Sequence, residues 1–563
     1  MKIISPLINT VLFHLGSLFG RVFRNDYFAK ARNGKKVSER TLLKIVNENK
    51  NTEYGKKYGF SEIKTIEDYQ RKVPLSLYED YMDYIERSKN GELNLLTKKK
   101  IKSYAKTSGT TGIQKYIPQS SSTLVNYFKV IMIILNQCLD ALRLRNVSTF
   151  NVRGFCNTEV TENRKSESDE YATSMASGVA ANSVKYFIPL FTQLPADVIG
   201  CGELEDREYV KSRYALQMKD IKFICGVFMS SISFSIDYIE KNFEMLIEDI
   251  EKGTINPSIK MSDSIRNKLV SKLKPDPVRA AELREIMNNP SDMPFISRLW
   301  PELSFISAIG TGDFEPFSKA IINKCCKDVT INHSVYAASE SLIAFAIKPN
   351  EASYLPLVDS GFYEFIPVDE QTDKVLLMSE LEVGKLYEIV VTNKAGFYRY
   401  RLRDVIRVVD FEGETPLIKF AYRANVATNI CGTHITNEDI STIVKKLEKD
   451  FDLTAVDYSI YPNMDPSNSH IKFFIEFDKE VDESTVKSLE VAFEKYLQMN
   501  NTAYAHAILA QQIKPSELYV LKKNSYYNFR DNQIAHGASA NQLKAMRLIK
   551  DEKTMEYFRS CAL

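Results

Sequence analysis

The sequence has almost no net charge: 74 basic against 72 acidic side chains leave +2 over 563 residues. No global field therefore exists to hold nucleic acid or an acidic membrane by counterion release, local patches aside, and no nucleic acid is expected as a partner. Paired cysteines are also absent. Cys138, Cys156, Cys201, Cys225, Cys325, Cys326, Cys431 and Cys561 form no CxxC, and the adjacent pair Cys325-Cys326 has no second pair at zinc-site spacing. They read as reduced thiols in a cytoplasmic protein. Beyond the N-terminus no apolar run approaches the ~20 residues that span a bilayer. Ile3 to Phe19 is apolar, but Ser5, Pro6, Asn9, Thr10, His14, Gly16 and Ser17 interrupt it and no small-x-small cleavage site follows, so no membrane insertion is expected. The standard nucleotide loops are missing too: no GxxxxGK[ST] occurs, and Gly310-Thr311-Gly312 stops one glycine short of GxGxxG.

What is present is a globular chain, 44% apolar, 26% charged and 11% aromatic, with ample material for a core. At ~150 residues per domain the length allows three or four structural units, or fewer if one is large. Glu39 to Tyr84 has helical spacing broken at Tyr54-Gly55, and Leu124 to Leu142 predicts a largely buried helix preceded by a loop. Ile221 to Phe228 followed by Ile236 to Ile247 alternates strand and helix, which makes the middle α/β. Tyr387 to Thr392 and Val405 to Val409 predict strands about a turn at Asn393-Lys394-Ala395-Gly396. After about Asn425 the pattern becomes a compact series: a helix over Thr436–Leu447, strands near Ala455–Tyr461 and Ile471–Phe477, a helix over Glu483–Leu497 and a strand near Leu518–Leu521. A large α/β domain over 1–425, with β-sheets flanked by helices, and a small α+β domain over 426–563 are expected.

One loop carries chemistry. Thr107-Ser108-Gly109-Thr110-Thr111-Gly112-Ile113-Gln114-Lys115 packs four hydroxyls and two glycines into six residues, with a lysine three positions on. Glycine lets a backbone approach closely, so amide N–H groups and hydroxyls can converge on phosphate oxygens while Lys115 adds charge. Taken alone, such a stretch is more often an ordinary turn.

The loop resembles the phosphate-binding signature of adenylate-forming enzymes, the superfamily that includes firefly luciferase and acyl-CoA synthetases. Two further signatures follow in order: Tyr336-Ala337-Ala338-Ser339-Glu340 is similar to Tyr-Gly-x-Thr-Glu, and Tyr400-Arg401-Leu402-Arg403-Asp404 to Tyr-Arg-x-Gly-Asp, with Arg423-Ala424-Asn425 at the hinge element. The chain resembles more closely the auxin-responsive promoter (Gretchen Hagen, plant-type) family of acyl acid amido synthetases. Asn51-Thr52-Glu53-Tyr54-Gly55, Tyr78-Glu79-Asp80-Tyr81, Gly361-Phe362-Tyr363-Glu364-Phe365 and the closing Gly537-Ala538-Ser539-Ala540-Asn541-Gln542-Leu543-Lys544 carry that likeness nearly end to end.

The resemblance implies an ATP- and Mg2+-dependent reaction in which a small carboxylic acid becomes an acyl-adenylate and is then passed to an amine, an amino acid in this family. It implies that Ser108, Gly109, Thr110, Thr111 and Lys115 bind phosphates, that Ser339 contacts phosphate, and that Tyr336 packs near adenine. Glu340 would place magnesium, Asp404 would hold the ribose hydroxyls, and Arg423 would mark the hinge of a mobile small domain. Lys544 would act as the catalytic lysine of adenylation. Asp404 also has a purely structural alternative, an ion pair with Arg401 or Arg403. His333 and His434 are the histidines nearest these motifs and candidate bases for the amine. Arg403 replaces a glycine of the superfamily pattern, which is expected to remove backbone freedom at positive φ. A thioester ligase and a non-catalytic binding protein are the alternative functions, and a monomer is expected.

Overall fold

The computed structural model describes residues 5–101, 103–107, 115–157, 172–175, 191–192, 207–289, 291–368, 374–423, 428–430, 433–463, 465, 469–509, 513–535 and 545–563. The interrupted apolar stretch at the start forms one helix, Pro6–Arg32. The Ser5 hydroxyl caps it by accepting from the Ile8 N–H, and Pro6 sits in the first turn, where a missing N–H costs nothing. Helices Gly34–Asn49, Ile66–Lys72 and Met82–Lys89 follow, as the helical spacing predicts.

The chain divides into two compact units. The first comprises Met1–Gly310, Ile321–Leu402 and Arg407–Lys419; the second comprises Thr311–Ala320, Arg403–Ile406 and Phe420–Leu563. The mixed α/β character, with a larger N-terminal and a smaller C-terminal region, is the architecture the sequence leads one to expect.

In chain order the early strands are β1 (Ser103–Thr107), β2 (Lys115–Gln119), β3 (Arg153–Asn157), β4 (Ala172–Met175), β5 (Ile221–Phe228), β6 (Phe305–Ile309) and β7 (Thr330–Asn332). They are followed by β8 (Val335–Ala337), β9 (Leu342–Ala346), β10 (Tyr354–Pro356), β11 (Gly361–Pro367), β12 (Leu376–Leu377), β13 (Leu386–Asn393), β14 (Tyr400–Glu412) and β15 (Thr415–Arg423). β3-β5-β6-β7 is an all-parallel sheet whose runs, such as Phe305–Ile309, are apolar almost throughout because helices cover it. An eight-stranded sheet has the order β12-β11-β13-β14-β15-β10-β9-β8, and β2-β1-β4 forms a third.

Three expectations need correction. The hydroxyl-glycine loop does not lead straight into a helix: it joins β1 to β2 in an antiparallel hairpin, and the helix Ser121–Leu144 comes only after β2. The Ile236 to Ile247 period spans two helices, Met229–Lys241 and Phe243–Lys252, separated at Asn242. Val125–Leu144 is 20 residues long and apolar enough to cross a bilayer by length and composition, although 44% of it is buried within the protein. Its polar side chains point to structure: Gln137 donates to the Ala346 carbonyl at 2.7 Å and accepts from Asn332 at 2.7 Å, tying the helix to β9 and β7. The six described cysteines form no disulfide, and β3 and β5 set the sulfurs of Cys156 and Cys225 2.8 Å apart.

The second unit continues with β16 (Thr428–Ile430), β17 (Thr433–Ile435), β18 (Ala455–Asn463), β19 (His470–Phe477) and β20 (Glu517–Leu521). The order β18-β19-β20 carries helices Asn437–Phe451 and Glu483–Asn500, each beginning within two residues of its expected start. Thr436 and Asp439 close a reciprocal cap on the first of these. Ile443, Leu447, Phe473, Leu489 and Phe493 form the core, with the Phe473 and Phe493 rings stacked at 4.2 Å.

Candidate active site

The hairpin of the first unit sets the position of Lys115. Thr107 and Lys115 are register partners, so β1 and β2 converge at the root of the loop; Ser108, Gly109, Thr110 and Thr111 themselves lie outside the described residues. The Lys115 ammonium lies 5.1 Å above the Tyr78 ring, near enough for a cation–π attraction. Tyr78 is held in turn, since its hydroxyl accepts from the Tyr116 N–H at 2.8 Å. Asp80, two residues on, fixes the turn by accepting from the Leu77 N–H at 2.8 Å. The Tyr-Glu-Asp-Tyr motif thus supports the strand that bears the lysine. Burial raises the Tyr78 phenol above its ordinary range, and the Glu340 charge adds to that rise, so Glu340 lies within electrostatic reach of Tyr78.

Glu340 occupies the turn that links β8 to β9. The Ala338 N–H donates to the Ser341 carbonyl at 2.9 Å and the Ser341 N–H returns to the Ala338 carbonyl at 3.2 Å. The turn is then pinned from outside by two amides: Gln119 donates to the Ser339 carbonyl at 2.9 Å and Asn393 to the Glu340 carbonyl at 2.7 Å. Main-chain oxygens take up these bonds. Among the described residues neither the Ser339 hydroxyl nor the half-buried Glu340 carboxylate makes a hydrogen bond or ion pair. A half-buried carboxylate on a fixed backbone, with no hydrogen-bond or ion-pair partner among the described residues, can take an external cation or donor.

Asn393 was legible only as a turn residue. Its Oδ1 accepts the N–H groups of Ala395, Gly396 and Phe397 at 2.8 to 3.1 Å while its Nδ2 reaches Glu340, so one buried side chain locks two turns 53 residues apart. Gly396 is required there, with φ at +118° and a position where any Cβ would press on Leu96. Tyr336 is buried on β8, its ring 6.2 Å from that of Tyr354. His333 is buried just before β8 and its carbonyl accepts from the Tyr354 hydroxyl at 3.4 Å; the His434 side chain lies outside the described residues.

In the second unit Asp404 is buried and Arg423 brings its Nε to 3.4 Å from Asp404 Oδ1. Arg401 makes a two-pronged bond to Glu388, at 3.0 and 2.6 Å, within the first unit. Arg403 departs from expectation: it adopts φ +65°, so the backbone here is left-handed despite the side chain, at a steric cost of about 1–2 kcal/mol.

Lys544 lies outside the described residues, but the chain just beyond it is tightly anchored. Arg547 donates to Asp457 Oδ1 at 2.6 Å and stacks 3.8 Å above the Tyr458 ring, and Arg530 takes the other oxygen at 2.8 Å. The Ile460 N–H donates to the Arg547 carbonyl and the Ile549 N–H to the Ile460 carbonyl, laying this segment along β18. Nothing in the Gly-Ala-Ser motif signals this anchor.

No group of three or more metal-ligating side chains converges among the described residues. Magnesium takes one or two carboxylates and completes its shell from phosphates and water, and the half-buried Glu340 carboxylate is a donor of that kind.

The fold recurs in solved proteins. The structure of the GH3.15 acyl acid amido synthetase shares the fold with a TM-score of 0.82 at 22% identity, over 95% of each chain. A 2-hydroxyisobutyryl-CoA ligase in its postadenylation state shares it more loosely, with a TM-score of 0.53 at 11% identity over 93% of this chain and 91% of the ligase. The fold is therefore that of amido synthetases, related to adenylate-forming acyl-CoA ligases. By sequence the chain is 26% identical to jasmonoyl–L-amino acid synthetase JAR4 of Nicotiana attenuata, over 91% of both chains. It is 25% identical to indole-3-acetic acid-amido synthetase GH3.4 of Arabidopsis thaliana, over 92% of this chain and 90% of the relative. It matches the GH3 family N-terminal domain over residues 25–331, the central domain over 354–423 and the C-terminal domain over 438–553. The chain belongs to the GH3 family, as the resemblance of its motifs implies.

Proposed function

We propose that the protein is an ATP-dependent acyl acid amido synthetase, a ligase that joins a small carboxylic acid to an amino acid through an acyl-adenylate. The observation that carries this reading beyond family membership is the pinned Glu340 turn, whose carboxylate has no partner among the described residues and lies within electrostatic reach of the Tyr78 ring that faces Lys115.

In the first half-reaction a carboxylate oxygen of the acid bonds to the α-phosphorus of ATP and the α–β phosphoanhydride bond breaks, releasing pyrophosphate. Two anions must meet, so fixed donors and cations around the developing charge are the main source of rate. Ser108, Gly109, Thr110 and Thr111 supply backbone and hydroxyl donors to the phosphates, Ser339 adds a hydroxyl and Lys115 a positive charge. Tyr336 packs near the adenine and Asp404 accepts the ribose hydroxyls. Glu340 would hold a magnesium ion, which when bound neutralises phosphate charge. Lys544 contacts the α-phosphate during this step. In the second half-reaction the amine nitrogen bonds to the acyl carbon, the acyl–phosphate C–O bond breaks, AMP leaves, and the amine proton passes to a base, for which His333 and His434 are the candidates.

We divide the chain functionally into an adenylation domain over 1–425 and a small domain over 426–563 that reorients after Arg423 between the halves. The protein works as a monomer in the cytoplasm. The acyl pocket is lined in part by the helix Ser121–Leu144, whose apolar side chains accept aryl, indole-type or aliphatic acids alike. Mass spectrometry of products from a panel of acids and amino acids with ATP tests the reading. An amide product with AMP supports it, whereas a thioester formed only when coenzyme A is added would replace it with the thiol-ligase alternative.

A further inference from the structure

The helix Pro6–Arg32 is inverted in polarity. Its inward face carries Asn9, Gly16, Ser17 and Gly20 among its buried residues. Asn9 donates to the Val152 carbonyl at 3.0 Å, Ser17 accepts from Asn136 at 3.3 Å, and the two glycines let the helix press on Ser121–Leu144, where a Cβ at Gly20 would run into the Met132 carbonyl. Its outward face carries Leu7, Val11, Leu15, Leu18, Phe19 and Val22, each between 47% and 68% exposed. These positions recur at helical spacing and make one apolar stripe about 22 Å long. Soluble proteins do not leave so continuous a stripe bare without a partner.

The charge around the stripe identifies the partner. Residues 1–25 contain Lys2, Arg21 and Arg24 and no aspartate or glutamate. At the same end Lys129 of the neighbouring helix lies 5.8 Å from the Phe23 ring. The first acid, Asp26, is engaged by Lys30 at 2.5 Å. A chain with a net charge of only +2 thus gathers cations beside its bare apolar face. A second copy packed on the stripe would meet the same cations with no carboxylate in residues 1–25 to pair them, whereas anionic headgroups above an acyl layer match both the charge and the apolar stripe. We propose that the outward face of this helix docks the protein on an anionic lipid bilayer, lying in the boundary between headgroups and acyl chains without crossing it.

The test is density-gradient flotation of the full chain with vesicles of phosphatidylcholine alone or containing about 30% phosphatidylserine. The wild type is expected to float with the anionic vesicles, less so as salt rises, and only weakly with the neutral ones. The triple change Val11→Gln, Leu15→Gln and Phe19→Gln is expected to lower partitioning on the order of a hundredfold, and Arg21→Gln with Arg24→Gln about tenfold, with circular dichroism and acid-dependent pyrophosphate exchange unchanged. Should the triple variant fold poorly, Leu15→Trp decides instead: its indole emission shifts to the blue on adding anionic vesicles. Wild type that stays with the soluble fraction, a triple variant that floats equally, or no emission shift would overturn the proposal. So would a wild-type dimer in sedimentation that the triple change splits, which would make a second copy the occupant.

Discussion

Replacing Asp404 by asparagine separates a nucleotide ligand from a structural ion pair. The Arg423 Nε sits 3.4 Å from the carboxylate, beyond a good hydrogen bond, and the arginine side chain is 38% exposed. Such a pair contributes at most about 1 kcal/mol to stability, and asparagine keeps the side chain's volume and one acceptor oxygen, so the loss of this pair alone should cost no more than that in Asp404→Asn. Nucleotide binding should respond differently. An ionised carboxylate can accept from both ribose hydroxyls, while an amide keeps one acceptor and turns a donor toward the other. The loss of one charge-assisted bond costs about 1.5–3 kcal/mol, or roughly a ten- to hundredfold rise in KM for ATP. KM for the acid should stay within about twofold of wild type, because uniform binding of the nucleotide alone is removed. Steady-state kinetics with each substrate varied in turn, paired with urea denaturation of the same variant, reads both quantities. An unchanged KM for ATP with an unfolding free energy that drops by several kcal/mol would refute the ribose assignment and leave the carboxylate a structural residue.

Three further substitutions test other joints of the argument. Asn393→Ala strips the acceptor from three buried N–H groups and the donor from Glu340, so it should destabilise the first unit by about 3–5 kcal/mol and depress pyrophosphate exchange, measured by denaturation and isotope exchange. Gly396→Ala places a Cβ against Leu96 at φ +118°, so it should destabilise the first unit by about 1–3 kcal/mol, checked by urea titration. Asp457→Ala removes the buried carboxylate that Arg530 and Arg547 both engage; it should cost the second unit about 3–5 kcal/mol and release the segment after Lys544, seen as faster amide exchange over 545–549.

Much of the second unit was legible because its signals are local. Caps such as Thr436 and runs such as Ile471–Phe477 state their own conformation, and the observed elements follow them closely. The hairpin about Asn393 was legible for the same reason, its turn residues standing between two apolar strands. What was not legible is long-range or counter to propensity. β1 and β2 are only five residues each, and β2 holds a proline, so neither reads as a strand until the other pairs with it. Arg399 and Arg403 take positive φ, which arginine does not advertise. Glu364, read as part of a family motif, turns out to be a fully buried partner of Arg399, whose guanidinium also satisfies the Gln70 and Val73 carbonyls; its role is to hold β11 against the chain that follows Asn393. The bond from Asn393 to Glu340 joins two motifs that sequence spacing alone keeps apart.

The central claim is that this protein activates a carboxylate on the α-phosphate of ATP. Exchange of labelled pyrophosphate into ATP, measured with magnesium and a panel of candidate acids and without any amine, tests it most directly. The account expects exchange that requires an acid and vanishes in the Thr110→Ala, Glu340→Ala double variant while the fold is retained. Exchange that proceeds equally in that variant, or ATP consumed to ADP and phosphate in place of AMP and pyrophosphate, would contradict it.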